Sequence, residues 1–133
     1  MSWDVFIQDL PQSARTIAEI PDDFEPQALG KRLDLVRTIQ ECFNLPDSSQ
    51  SKVIAVDLAG STIEISVGED DPCRCVALHI YGGIDAAPAV ARLLNCLARR
   101  GLDTATGEII SADSDIEASI AKWASFRDRM IAA

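Results

Sequence analysis

Basic residues, aromatics and long apolar runs are all scarce in this sequence, and each scarcity closes off a class of function. Twelve Lys and Arg stand against 21 Asp and Glu, a formal net charge of −9. A field of that sign repels phosphate backbones and anionic lipid surfaces. Aromatic residues make up 5% of the chain, too few for a base-stacking groove, which needs a basic lining besides. Nucleic acid and membrane are therefore not expected as partners, whereas a basic protein surface is. The same acidity also serves as a solubility device. No stretch approaches the roughly 20 apolar residues of a membrane span. The opening residues 1–9 have no basic lead, and Asp4 interrupts their apolar positions, so no signal peptide is read and the expected compartment is the cytoplasm. There the four cysteines, Cys42, Cys73, Cys75 and Cys96, are expected as reduced thiols. Neither G-x-G-x-x-G nor a glycine-lysine-serine loop occurs, and there is no internal repeat, linker or low-complexity segment.

What is present is a run of three period-two patterns over residues 52–81. Ile54, Val56 and Leu58, then Ile63, Ile65 and Val67, then Val76, Leu78 and Ile80 occupy one set of alternate positions. Successive side chains of a strand point to opposite faces, so this set predicts the buried face of an antiparallel meander. The opposite set is mixed and includes Asp57, Glu64, Cys75, His79 and Tyr81. Residues 58–61 read as a tight hairpin turn, and residues 68–72 as an acidic turn. The spacing of that second turn lacks the alternating oxygen ligands and central glycine of a calcium loop.

Around the meander, Trp3, Val5 and Ile7 alternate with Asp4, Phe6 and Gln8, which predicts a first strand ending at Pro11. Residues 11–29 carry Pro11, Pro21 and Pro26 with Asp22, Asp23 and Glu25 among them, the pattern of a long irregular connection. Ile20 and Phe24 are its candidate anchors, and its acids stay wet. Residues 30–44 predict a helix with Leu33, Val36, Ile39 and Phe43 on its stripe, and Asn44 and Pro46 at its stop. A polar connection follows over 46–51. After Gly82 and Gly83, read as a close turn, a second helix is expected with Asp85 as cap and Gly101 as stop. Residues 102–110 read as one short strand and a glycine turn. The last helix is announced by the capping box Ser114-x-x-Glu117, with Ile116, Ile120, Trp123, Phe126 or Arg127, and Met130 as its stripe.

Candidate chemistry is sparse. His79, the only histidine, shares the mixed face with Glu64 and Asp57, and a carboxylate-held imidazole serves as a general base near neutral pH. A polar tip on a partly covered strand is the plainer alternative. Cys73 and Cys75, two apart, are expected on one face, but zinc pairs favour a wider spacing and no metal or cofactor is assigned. Cys42 and Cys96 sit within or beside helical stripes, where cysteine behaves as a small hydrophobe. Trp3 and Trp123 read as core residues.

The segments Trp3-Asp4-Val5-Phe6-Ile7-Gln8-Asp9-Leu10-Pro11, Ile20-Pro21-Asp22-Asp23-Phe24, Leu29-Gly30-Lys31-Arg32, His79-Ile80-Tyr81-Gly82-Gly83 and Leu102-Asp103-Thr104-Ala105-Thr106-Gly107-Glu108 together resemble a family of small uncharacterised bacterial proteins. The resemblance spans most of the chain and implies no residue roles. In size, acidity and helix-flanked sheet the chain is also similar in type to bacterial toxin-immunity proteins. The expectation is one α+β domain over residues 1–133, in the order strand, helix, three-strand meander, helix, strand, helix. Its sheet is mostly antiparallel, with helices on one face. The leading functional expectation is a non-enzymatic acidic module, of immunity type, that binds a basic protein through Asp22, Asp23, Glu25, Glu69, Asp70, Asp71, His79 and Tyr81. The alternatives are a small hydrolase or isomerase built on His79 with Glu64 or Asp57, and a homo-oligomer pairing through the mixed face.

Overall fold

The alternation over residues 53–81 folds as its pattern requires. In a computed structural model, which describes residues 1–46 and 52–132 and the side chains of all but Ala132, strands β1 Trp3–Gln8, β2 Val53–Asp57, β3 Thr62–Ser66, β4 Cys75–Tyr81, β5 Gly101–Asp103 and β6 Ile109–Ile110 make one sheet. Helices α1 Arg32–Phe43, α2 Ala87–Leu97 and α3 Ile116–Ala132 complete an α+β fold. The strand order is β2-β3-β4-β1-β5-β6, and every pairing among these strands is antiparallel. The connection expected over 46–51 lies, apart from Pro46, outside the described residues.

The first strand is the centre of the sheet. β1 pairs with β4 along its whole length and with β5 on its other edge, and Trp3, Val5 and Ile7 are fully buried. Because β4 and β5 are both antiparallel to β1, they run parallel to each other with β1 between them, and α2 carries the chain across. Gly101 makes that closeness possible: a Cβ there would lie 2.6 Å from Val5 Cγ1, inside any permitted contact.

The single strand expected over 102–110 is a hairpin of two. The Asp103 carboxylate accepts the Ala105 N–H at 2.9 Å, and Gly107 takes a φ of +76° that few other residues tolerate. The chain therefore turns back to form β6, beside which the Ile17 N–H donates to Gly107 O and the Ile109 N–H to Arg15 O.

Three helix ends differ from expectation in instructive ways. Asp85 does not cap α2; its carboxylate accepts from the Gly60 N–H at 3.0 Å and Ser61 Oγ at 2.7 Å, tying the β2–β3 turn to the α2 entry. Ala98, in the left-handed conformation at φ 52°, ends α2, which leaves Gly101 for the sheet. At α3 the Ser114 hydroxyl accepts the Ser111 N–H, and the Asp115 carboxylate takes the Ala118 N–H at 3.1 Å, so the cap falls one residue later than the box implied.

Val36 and Ile39 of α1, Val90, Leu93 and Leu94 of α2, and Ile116, Ile120 and Trp123 of α3 join the buried positions of the sheet in one core. Burying each such side chain contributes about 1.5–3 kcal/mol, so the core is a sufficient reason for the helices to pack. The α3 stripe stops at Trp123, because Arg127 lies 4.9 Å over the indole ring and donates to Gly82 O. Phe126 and Met130 are left 49% and 55% exposed. No helix among the described residues is long and apolar enough to cross a membrane.

Candidate functional site

The mixed face is half-exposed along β1 and β3 and most of β4 and exposed on β2, and His79 lies near its middle. β4 runs between β1 and β3, which places Asp4 and Glu64 directly opposite His79 on its two sides. The imidazole bonds to Asp4, with Nδ1 2.8 Å from Oδ1. Asp57 is engaged elsewhere, accepting from Thr62 Oγ1 at 3.2 Å. Asp4 was missed as a partner because nothing local in the sequence says which strand lies beside β4.

Ser2 completes a serine, aspartate and histidine set, but the connectivity is not that of an activated nucleophile. Ser2 Oγ donates to Asp4 Oδ1 at 2.6 Å, the same oxygen that accepts from His79. An attacking hydroxyl must hand its proton to the imidazole, and here hydroxyl and imidazole both spend a donor on one carboxylate. The arrangement fixes the N-terminus onto β4. Beside it, a cleft of about 370 Å³ is lined by Ser2, Asp4, Thr104, Lys122, Trp123 and Phe126 among others. Asp103, fully buried beneath, accepts from Trp3 Nε1 at 2.9 Å, and its second oxygen meets no partner among the described residues.

The acids expected to meet a partner separate into two groups. In the turn after β3, Glu69 pairs with Lys52, whose hydrogen bond and charge hold its carboxyl below the ordinary range. Asp71 Oδ1 accepts the Arg32 N–H at 3.1 Å, capping α1 from outside, and Arg32 Nε donates to Gly68 O at 2.8 Å. Asp70 is exposed and bonded to nothing among the described residues.

Asp22, Asp23 and Glu25 belong to an arch over residues 18–25, and all three are exposed without a cation partner among the described residues. Within the arch the backbone bonds only to its own turns, as from the Phe24 N–H to Pro21 O. Its shoulders are fastened. On one side the Arg100 guanidinium donates to Ala14 O at 2.9 Å and Pro11 O at 2.6 Å, with Leu10 O at 3.4 Å. On the other, Arg74 Nη1 donates to Pro26 O and Arg99 Nη2 to Leu29 O, the Gln27 N–H reaches Asp9, and Leu29 and Gly30 exchange backbone bonds with Cys73. The fan of donors from the arginines after α2 satisfies carbonyls of an irregular segment that has no ladder of its own. Ile20 and Phe24 are half-buried, as expected of anchors.

His79 and Tyr81 stand apart from these acids. The acidic turn lies at the end of the sheet where β1 finishes and β4 begins, with His79 roughly 13 Å further along at about 3.3 Å per residue, whereas the arch leaves from Ile17, bonded to Gly107 in the β5–β6 turn.

Of the cysteine expectations, the shared face of Cys73 and Cys75 is corrected. β4 begins at Cys75, so alternation does not reach back to Cys73, which sits in the core while Cys75 is half-buried on the mixed face. Burial pushes both thiols up. Cys96, expected as a small hydrophobe, is exposed, whereas Cys42 is buried.

The chain matches no family model, no curated protein and no solved structure.

Proposed function

We propose that the chain is a non-enzymatic acidic module that binds a basic protein surface through the arch 18–25. An immunity-type inhibitor is the form this takes when the partner is a basic toxin or effector. The observation that carries the reading is that Asp22, Asp23 and Glu25 are exposed and unpaired among the described residues, on a segment fastened at both shoulders. A fastened segment loses little conformational freedom on binding, so more of its contact energy remains as affinity. Three carboxylates in a −9 field draw a cationic partner in and align it. Ile17, 56% exposed beside the arch, offers the apolar contact that charge alone lacks.

The reading is tested by immobilising the chain and a D22N/D23N/E25Q variant and capturing from a bacterial lysate. Basic proteins recovered by the wild type alone, and released as salt rises from about 0.05 to about 0.5 M, are the expected result. Equal capture by the variant, or recovery of acidic proteins only, overturns it.

A further inference from the structure

We infer that Cys42 and Cys96 form a thiol–disulfide exchange site that takes a low-molecular-weight disulfide, such as glutathione disulfide, and closes into a reversible bond between α1 and α2. Cys42 lies one residue before the end of α1 and Cys96 one residue before the end of α2. The Cys42 and Cys96 thiols influence each other's charge, and Cys42 Sγ donates to Arg92 O at 3.7 Å. They line one cavity of about 330 Å³ with Thr38, Glu41 and Arg92. Their environments are unequal in the way exchange requires, since Cys96 is exposed to an incoming disulfide while Cys42 is buried behind it. Cys73 lies outside that cavity, buried with its thiol donating to Val67 O and Cys75 O.

The order of events follows from this asymmetry. The Cys96 thiolate attacks one sulfur of R–S–S–R, the S–S bond breaks, and RS⁻ leaves and takes up a proton. Cys42 then attacks the Cys96 sulfur of the mixed disulfide, forming the protein disulfide and releasing the second RS⁻. Two electrons pass from the protein thiols to R–S–S–R, and the two thiol protons end on two RSH. Before the first step, Cys42 is a poor nucleophile. Burial foremost, then the hydrogen bond and charge of Cys96, push its thiol up to about 12, and only Arg92 opposes them. Capping Cys96 as a mixed disulfide removes its charge from beside Cys42 while burial, the larger cause, stays, so Cys42 reacts second and more slowly.

The test uses the full reduced chain incubated with glutathione disulfide. Peptide mapping without reductant is expected to show Cys42 joined to Cys96, two free thiols remaining, and a thermal midpoint higher by roughly 10 °C, all reversed by dithiothreitol. Cys42→Ser is expected to stall with glutathione on Cys96, and Cys96→Ser to take up none at Cys42. Four thiols left free, a wild-type chain that stops at the mixed disulfide, or a bond that includes Cys73 or Cys75 each overturns the inference.

Discussion

Residues 22–25 and residues 69–71 each carry three acids, and the fold uses them in opposite ways. In the turn at 69–71, Asp71 caps α1 and Glu69 pairs with Lys52, so two of three carboxylates serve the structure. In the arch, none of the three is bonded to a cation among the described residues, and the holding is done from below by Arg74, Arg99 and Arg100 on backbone carbonyls. What separates them is what lies opposite: the turn abuts the start of a helix with free N–H groups, whereas the arch spans two fastened shoulders. Counting acids cannot distinguish a charge that stabilises the fold from one offered to solvent. Substitution can.

The largest expected effect is on the fastening. Arg100→Ala leaves the carbonyls of Pro11 and Ala14 without the charged donor, and bonds of that kind contribute about 1.5–3 kcal/mol each to stability where partly buried. We expect a loss of about 2–3 kcal/mol in urea unfolding, given the partial exposure and the chance for water to replace the guanidinium. Amide exchange should accelerate around residues 14–17 and stay unchanged at 68–73. Uniform acceleration across both segments contradicts the separation drawn between them.

Asp71→Ala comes next. It removes an acceptor that reaches α1 from another element, and losing a cap of this sort costs about 1 kcal/mol. Helical signal and urea midpoint should both fall slightly. Asp70→Ala, one residue earlier and unbonded among the described residues, should change neither; equal losses from the two show that the turn's acids are not individually placed.

Smaller still is the contribution of Glu69, which is exposed. Lys52 depresses its carboxyl below the ordinary 4.5. A depressed folded-state value means the ion pair contributes above pH 4.5, and the contribution fades as pH falls through the lower folded value. Lys52→Met should therefore differ from the wild type only slightly near neutrality, and the two urea midpoints should converge in acid. Divergence on acidification reverses the assigned sign.

Both behaviours were only partly legible beforehand. The meander could be read because strand alternation is local: Ile54, Ile65 and Leu78 announce their burial from spacing alone. The helical stripes through Val36 and Ile120 could be read for the same reason. What escaped was set by contacts between distant segments. Asp4 meets His79 only because β1 inserts between β4 and β5, a choice of neighbour that no spacing encodes. Asp85 looked like a cap and Gly101 like a stop, because each is the right residue for a local role that the tertiary structure overrode. The acidic arch was visible as composition; that its shoulders are fastened and its carboxylates are not was invisible.

The smallest expected effect on stability is the one that matters most for the arch. In the D22N/D23N/E25Q variant, exposed carboxylates without a cation partner among the described residues give way to amides of the same shape, and exposed changes of this kind leave stability within about 0.5 kcal/mol. Removing three like charges from a chain of net −9 also relieves repulsion, so any shift should be towards stability. If the urea midpoint is unchanged or slightly raised, the acids contribute nothing to folding and remain free for a partner. A clear loss of stability places them with Asp71 among the charges that hold the fold, and the contrast between the two segments disappears. Measured beside Asp71→Ala in one buffer, the pair of results separates a charge that the fold needs from one that it only displays.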